Sequence, residues 1–183
     1  EDGIRDIGVT GVQTCALPIW IVVMVLATVA ASAWLTSGGS PEGASLVGVL
    51  VGTLLVAASS SVANQILERH TDGLMKRTAD RPLAAGRLGV REAWVAVALT
   101  LVAGLALTLR AGGSVATIAS LVTWAVYVLA YTPLKRVTPL NTAVGAVAGA
   151  LPVAIGWGAA DGPARLADGD VPGALAVGAL ATV

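Results

Sequence analysis

Charge is what this sequence has least of. Asp, Glu, Lys and Arg make up 12% of its 183 residues, against about a quarter in a soluble domain, and the mean hydropathy is +0.82. That scarcity excludes an ordinary soluble domain. Excess charge of either sign is also missing, with eleven basic and eleven acidic residues, so nothing points to nucleic acid as a partner. There is no alternation of apolar and polar residues such as an outer-membrane barrel strand carries. No low-complexity linker or shift in composition marks a second domain. Cysteine occurs once, at Cys15, which leaves no basis for disulfide or redox arguments.

What is present is apolar runs of about 20 residues, long enough to cross a hydrocarbon core as helices. The fold class this predicts is all-α, a polytopic bundle of transmembrane helices. The first residues are set apart from it. Glu1–Ile19 reads as a translated sequencing-library adapter: EDGIRD (Glu1–Asp6) and VTGVQTCALPI (Val9–Ile19) match successive parts of one oligonucleotide, and Ile7 and Gly8 fill its variable index. Residues 1–19 are therefore expected to be non-native and are excluded from fold reasoning; the domain is 20–183. Without them the eleven basic residues lose Arg5 and the eleven acidic ones lose Glu1, Asp2 and Asp6, so the remainder is slightly basic. Because apolar segments are cut at Trp20 and at Val183, the reading frame is expected to be incomplete at both ends.

The apolar segments are Trp20–Thr36, Ala44–Leu67, Glu92–Leu109, Ser114–Thr132, Leu140–Ala160 and Gly173–Val183. Turn-rich connectors separate them: TSGGSPEG, a long basic loop, RAGG, TPLKRVTP and DGPARLADGDVP. Arg69, Lys76, Arg77, Arg81, Arg87 and Arg91 crowd the second connector, and Lys135 and Arg136 lie in the fourth. The odd-numbered connectors carry only Arg110 and Arg165. By the positive-inside rule, loops 69–91 and 133–139 are cytoplasmic in a multi-pass protein of the cell (inner) membrane. Trp20, Trp34, Trp94 and Trp157 fall near segment ends, as interfacial anchors do. Gly145, Gly149 and Gly156 in the fifth span, beside Pro152, suit close helix packing.

The polar exception is ANQILERHTDGLMKRTADRPLAAGR, Ala63–Arg87. Asn64, Glu68 and Asp72 stand at i, i+4, i+8, so each step drifts about 40° and all three share one helix face. Gly73 follows as a helix stop. Acidic side chains so spaced repel by a few tenths of a kcal/mol and oppose the negative end of the helix dipole. Uncompensated negative potential of this kind suits a cation, and an oxygen-only donor set suits Mg2+, which shares its shell with water and phosphate. The adjoining Lys76, Arg77 and Arg81, with Lys135 and Arg136 from the fourth connector, fit an anion on the other side of that metal, as a diphosphate would be. Spacing alone is equally compatible with a solvated helix end beside a topogenic basic loop.

The wider motif NQILERHTDGLMKRTADRPLAAGR resembles the first Asp-rich motif of the UbiA superfamily of intramembrane prenyltransferases, N-x-x-x-D-x-x-x-D followed by R-T-x-x-R-P-L-x-x-G. Met75 before KRTADRPL, and YTPLKRVTPLNTAVGAVAGALPVAIGW (Tyr131–Trp157), resemble the heme-farnesylating branch of that superfamily. The likeness runs from Trp20 to Val183, about six of the family's nine spans. It implies that Asn64, Glu68 and Asp72 hold Mg2+, with Glu68 and Asp72 as the catalytic carboxylates. It implies that Arg77, Arg81, Lys135 and Arg136 bind the diphosphate of farnesyl diphosphate. The implied reaction transfers the farnesyl group to a vinyl carbon of protoheme IX within the lipid bilayer, giving heme O.

Several residues depart from the pattern or leave a choice. Glu68 stands where the superfamily shows Asp, one methylene longer. His70 lies off the acidic face and is expected to be an exposed interfacial residue. Asp161, Asp168 and Asp170 fall on the opposite side of the membrane from Asp72, so they do not supply the family's second Asp-rich motif, without which the 183 residues are expected to be inactive by themselves. Trp124, Tyr127 and Tyr131 share a face of the fourth span, as packing residues or as lining for the isoprenoid. Asn141 either caps the fifth span or lies near the diphosphate. Prenylation of an aromatic quinone precursor would use the same first motif, and an ion-coupled transporter would place its acidic residues nearer the bilayer midplane.

Overall fold

The structure is a computed structural model that describes residues 11–39, 41–76, 78–135 and 141–169, with 11–20 as backbone only. Arg77, Arg136, Asp170 and the expected span Gly173–Val183 lie outside the described residues. The elements are α1 (Gly11–Thr36), α2 (Gly43–Asp72), α3 (Val90–Ala125), a π-helical segment (Val126–Tyr131), α4 (Thr132–Leu134), α5 (Asn141–Ala159) and α6 (Gly162–Ala167). Among the described residues there is no strand.

Gly43–Asp72, Val90–Leu134 and Asn141–Ala159 are each long and apolar enough to cross a membrane. The 45 residues of Val90–Leu134 would be roughly 67 Å long as a straight helix, over twice the hydrocarbon thickness. They are not straight, because Gly113 takes φ 74° and ψ −173°, a conformation open in practice only to glycine. The hydroxyl of Ser59 shows the consequence. It donates to the Val97 carbonyl at 3.0 Å and accepts from the Trp124 indole at 3.1 Å, although residues 97 and 124 of a straight helix would be roughly 40 Å apart. Residues 90–112 and 114–134 are therefore two antiparallel limbs. The RAGG connector forms the tip between them, as the sequence predicts.

Helices approach one another at small residues, as lipid-embedded bundles require. Gly52 of α2 faces Thr108 and Gly104 of the first limb. Gly158 of α5 meets the backbone of Ala116, where a Cβ would lie 2.7 Å from its nitrogen. Gly156 sits over the Val29 carbonyl of α1, and Ser32 of α1 donates to the Val153 carbonyl at 2.6 Å. Of the three glycines the sequence singles out, Gly145 and Gly156 take part in contacts, whereas a Cβ on Gly149 would meet nothing within 4 Å. Pro152 is buried within α5.

Two apolar clusters fill the bundle. Val29, Val49, Ala116, Ala119 and Ile155 pack near the Gly113 end. Ala63, Ile66, Ala93, Val97 and Val128 pack near the Asp72 end, and Leu83 joins them from the long second connector. Leu83 thus pins that connector back across the bundle, and Arg81 of the same connector reaches the end of α2.

Candidate active site

The polar face of α2 continues its packing face. Gly52, Val56 and Ser60, each four residues on from the last, are buried against the neighbouring limbs, and Glu68 and Asp72 extend the same stripe. Glu68 is 8% exposed and Asp72 only 2%. Carboxylates so deeply placed persist as charges only with close partners, and both have them.

Asp72 Oδ2 accepts from Arg81 Nη1 at 2.8 Å. The backbone explains how a residue nine positions on returns to it. Gly73 ends α2 in a right-handed conformation, φ −65°, not the left-handed one that usually recruits glycine to a helix terminus. The chain leaves the helix through successive tight turns: Met75 N–H to the Asp72 carbonyl, Thr78 N–H to Met75 and Arg81 N–H to Thr78. The Thr78 hydroxyl also donates to the Asp72 carbonyl at 2.9 Å. This coil carries Arg81 back over the Asp72 side chain.

Glu68 is held from two sides. Lys135 Nζ lies 2.5 Å from Oε1, and Asn64 Nδ2 donates to Oε2 at 2.9 Å. The Thr132 hydroxyl is 3.1 Å from Asn64 Oδ1 and 2.9 Å from the Tyr127 carbonyl. Next to it, Tyr127 and Tyr131 stack with ring centroids 5.5 Å apart and planes at 20°. Their positions belong to the π segment, whose i→i+5 turn differs from an α-helix and recurs at functional sites. Tyr127 and Trp124 also pack against the apolar cluster.

Five of the residues picked out from the sequence thus come together: Asn64, Glu68 and Asp72 on α2, Arg81 from the second connector and Lys135 from the end of the second limb. Arg77 and Arg136 lie outside the described residues. Lys76 and His70 are exposed. Asp161 and Asp168 are exposed at the other end of the bundle, where Asp161, Arg165, Glu42, Ser37 and Gly112 border a cavity of about 330 Å³. Thr78 and Thr132 were missed by the sequence reading. The signal was present, since each is a hydroxyl inside a quoted motif, KRTADRP and YTPLKR.

The donor set is hard oxygen only: two carboxylates and one amide carbonyl. Among the described residues no three His, Cys, Asp or Glu side chains come together as a metal site. The cluster is therefore not a self-sufficient protein cage for a cation. It suits one that keeps water and phosphate oxygens in its shell, and the adjacent guanidinium and ammonium suit the phosphate.

Known proteins extend this geometry. The sequence model of the UbiA prenyltransferase family matches residues 24–183. A protoheme IX farnesyltransferase of Rhodopirellula baltica is 41% identical over 164 residues, 88% of this chain and 55% of that protein. One from Geobacter sulfurreducens is 47% identical over 113 residues, 62% of this chain and 42% of its own. The mitochondrial protoheme IX farnesyltransferase of Arabidopsis thaliana is 41% identical over 130 residues, 68% of this chain and 29% of that protein. The chain spans about half the length of the first of these relatives and less of the others, and no solved structure matches it. An all-helical bundle with several apolar spans, an acidic helix face met by basic residues at one end, and a family match over most of the sequence agree: this multi-pass membrane chain belongs to the UbiA prenyltransferase family.

Proposed function

We propose that this chain is part of an enzyme that transfers the farnesyl group of farnesyl diphosphate to a vinyl carbon of protoheme IX, yielding heme O. The observation that carries the reading is the single cluster in which the carboxylates of Glu68 and Asp72 are interleaved with the cations of Lys135 and Arg81. The names of the relatives supply the acceptor and the donor.

Asn64, Glu68 and Asp72 would hold Mg2+, and Arg77, Arg81, Lys135 and Arg136 would hold the diphosphate. Mg2+ bound there would add positive charge beside the leaving group. Arg81 and Lys135 act on the same group directly. A guanidinium has five N–H donors, so Arg81 can keep its contact with Asp72 and still reach a phosphate oxygen. The allylic C–O bond breaks with its electron pair remaining on the diphosphate, where fixed cations stabilise the developing charge. A heme vinyl carbon attacks the farnesyl cation, and water adds to the resulting cation with loss of a proton, leaving a hydroxyl. Burial of Glu68 and Asp72 strengthens each charge interaction there.

Loops 69–91 and 133–139 would face the cytoplasm of a cell (inner) membrane, where farnesyl diphosphate is soluble. Residues 20–183 would form this UbiA-type domain, with 1–19 foreign to it.

The test uses a polypeptide that carries this segment over the full length of its relatives. Incubated with farnesyl diphosphate, protoheme IX and Mg2+, it should give a product heavier than protoheme by one farnesyl group and one hydroxyl group. Asp72→Asn should abolish that product. Transfer to an aromatic quinone precursor with none to protoheme would refute the acceptor assignment.

A further inference from the structure

Thr132 is absent from every role assigned above, yet it links the acidic face of α2 to the π segment. Its side chain is buried, 2% exposed. Its hydroxyl has one proton and two acceptors within reach, Asn64 Oδ1 at 3.1 Å and the Tyr127 carbonyl at 2.9 Å. The Tyr127 carbonyl already accepts the backbone N–H of Thr132, so the π turn closes without the hydroxyl.

The orientation of Asn64 follows from its neighbours. Glu68 Oε2 only accepts, so the amide must turn its NH2 group toward it, 2.9 Å away. The reverse orientation would set two oxygens face to face. Oδ1 then points to Thr132, whose hydroxyl occupies one of its two lone pairs and leaves the other for a cation. With Lys135 on Oε1 of Glu68, the order Tyr127 carbonyl, Thr132, Asn64, Glu68, Lys135 runs from the second limb to α2 and back.

We propose that Thr132 is a positioning residue. Through its hydroxyl it fixes the Asn64 amide, and through Asn64 the Glu68 carboxylate, in the arrangement that receives the divalent cation. This rests on the magnesium diphosphate reading of the site. Outer partners of this kind orient the ligands themselves, and removing one lowers metal affinity by about 10–100-fold.

The experiment reads binding instead of turnover. A polypeptide that carries this segment over the full length of its relatives is purified in lipid nanodiscs and titrated with Mn2+, a paramagnetic stand-in for Mg2+, in the presence of inorganic pyrophosphate. Bound Mn2+ is followed by electron paramagnetic resonance. Thr132→Val keeps the shape and removes the hydroxyl; it should bind Mn2+ about 10–100-fold more weakly with an unchanged unfolding temperature. Thr132→Ser restores the hydroxyl and should bind nearly as the parent does. Should the valine variant fail to fold, Thr132→Ala against Thr132→Ser gives the same comparison. Parent-like binding by Thr132→Val or Thr132→Ala overturns the positioning role alone. Failure of both to fold also overturns it, because the hydroxyl would then serve the bundle and not the site. No Mn2+ bound by the parent chain sinks the magnesium diphosphate reading, and this proposal with it.

Discussion

Arg81 Nη1 lies 2.8 Å from Asp72 Oδ2, and the two side chains differ sharply in exposure, 36% for the arginine and 2% for the carboxylate. Asp72 is the buried partner, so its charge depends on Arg81 more than the reverse. Removing the cation leaves a buried carboxylate uncompensated, which costs up to about 3–5 kcal/mol in a fully buried pair, less here because Arg81 reaches solvent. Arg81→Ala should therefore lower unfolding stability in detergent by roughly 2 kcal/mol, and Asp72→Asn by less, since a neutral amide needs no counter-charge. Equal losses, measured by denaturant titration, would mean that leaving Asp72 unpaired carries no extra cost.

Glu68 depends on its length. Its two oxygens reach Lys135 and Asn64 at once, from a position where the superfamily pattern shows the shorter Asp. Glu68→Asp should keep at most one of these contacts and lower stability by about 1.5–3 kcal/mol, the range for a hydrogen bond to a charged group. Unchanged thermal unfolding would show that the helices close up to restore both contacts.

The hairpin at Gly113 gives a backbone prediction. A Cβ there would meet nothing within 4 Å, while φ is +74° and ψ −173°, so Gly113→Ala should cost about 1–3 kcal/mol through conformation alone. Gly149 is helical and equally open, so Gly149→Ala should be neutral or stabilise by up to about 1 kcal/mol. Unfolding of the two variants side by side checks the opposite signs.

Much of this was legible in the sequence because it is local. The i, i+4, i+8 spacing put Asn64, Glu68 and Asp72 on one face without any knowledge of the fold, and RAGG marked the reversal at Gly113. The end of α2 was legible too, since the shared face runs to Asp72 and Gly73 follows as the helix stop. The burial of Glu68 and Asp72 was not legible, because it depends on cationic partners brought in from other segments. The pairing of Glu68 with Lys135 joins residues far apart in the chain and has no local signature. The π segment has none either, since a one-residue change in helical register leaves composition unaltered. Thr132 was overlooked for that reason: its hydroxyl has meaning only once the turn has aimed it at Asn64.

The central claim is that the Asp72 end of the bundle binds diphosphate together with Mg2+. Its most direct test is calorimetric titration of farnesyl diphosphate into the full-length polypeptide that carries this segment, in lipid nanodiscs, with Mg2+ and with a chelator. The parent chain and the Asp161→Asn variant, altered at the opposite end, should bind alike and only when Mg2+ is present. Asp72→Asn should weaken binding at least about tenfold, the loss of one charged ligand contact of about 1.4 kcal/mol or more. Binding that ignores Mg2+, or that survives Asp72→Asn unchanged, would contradict the account.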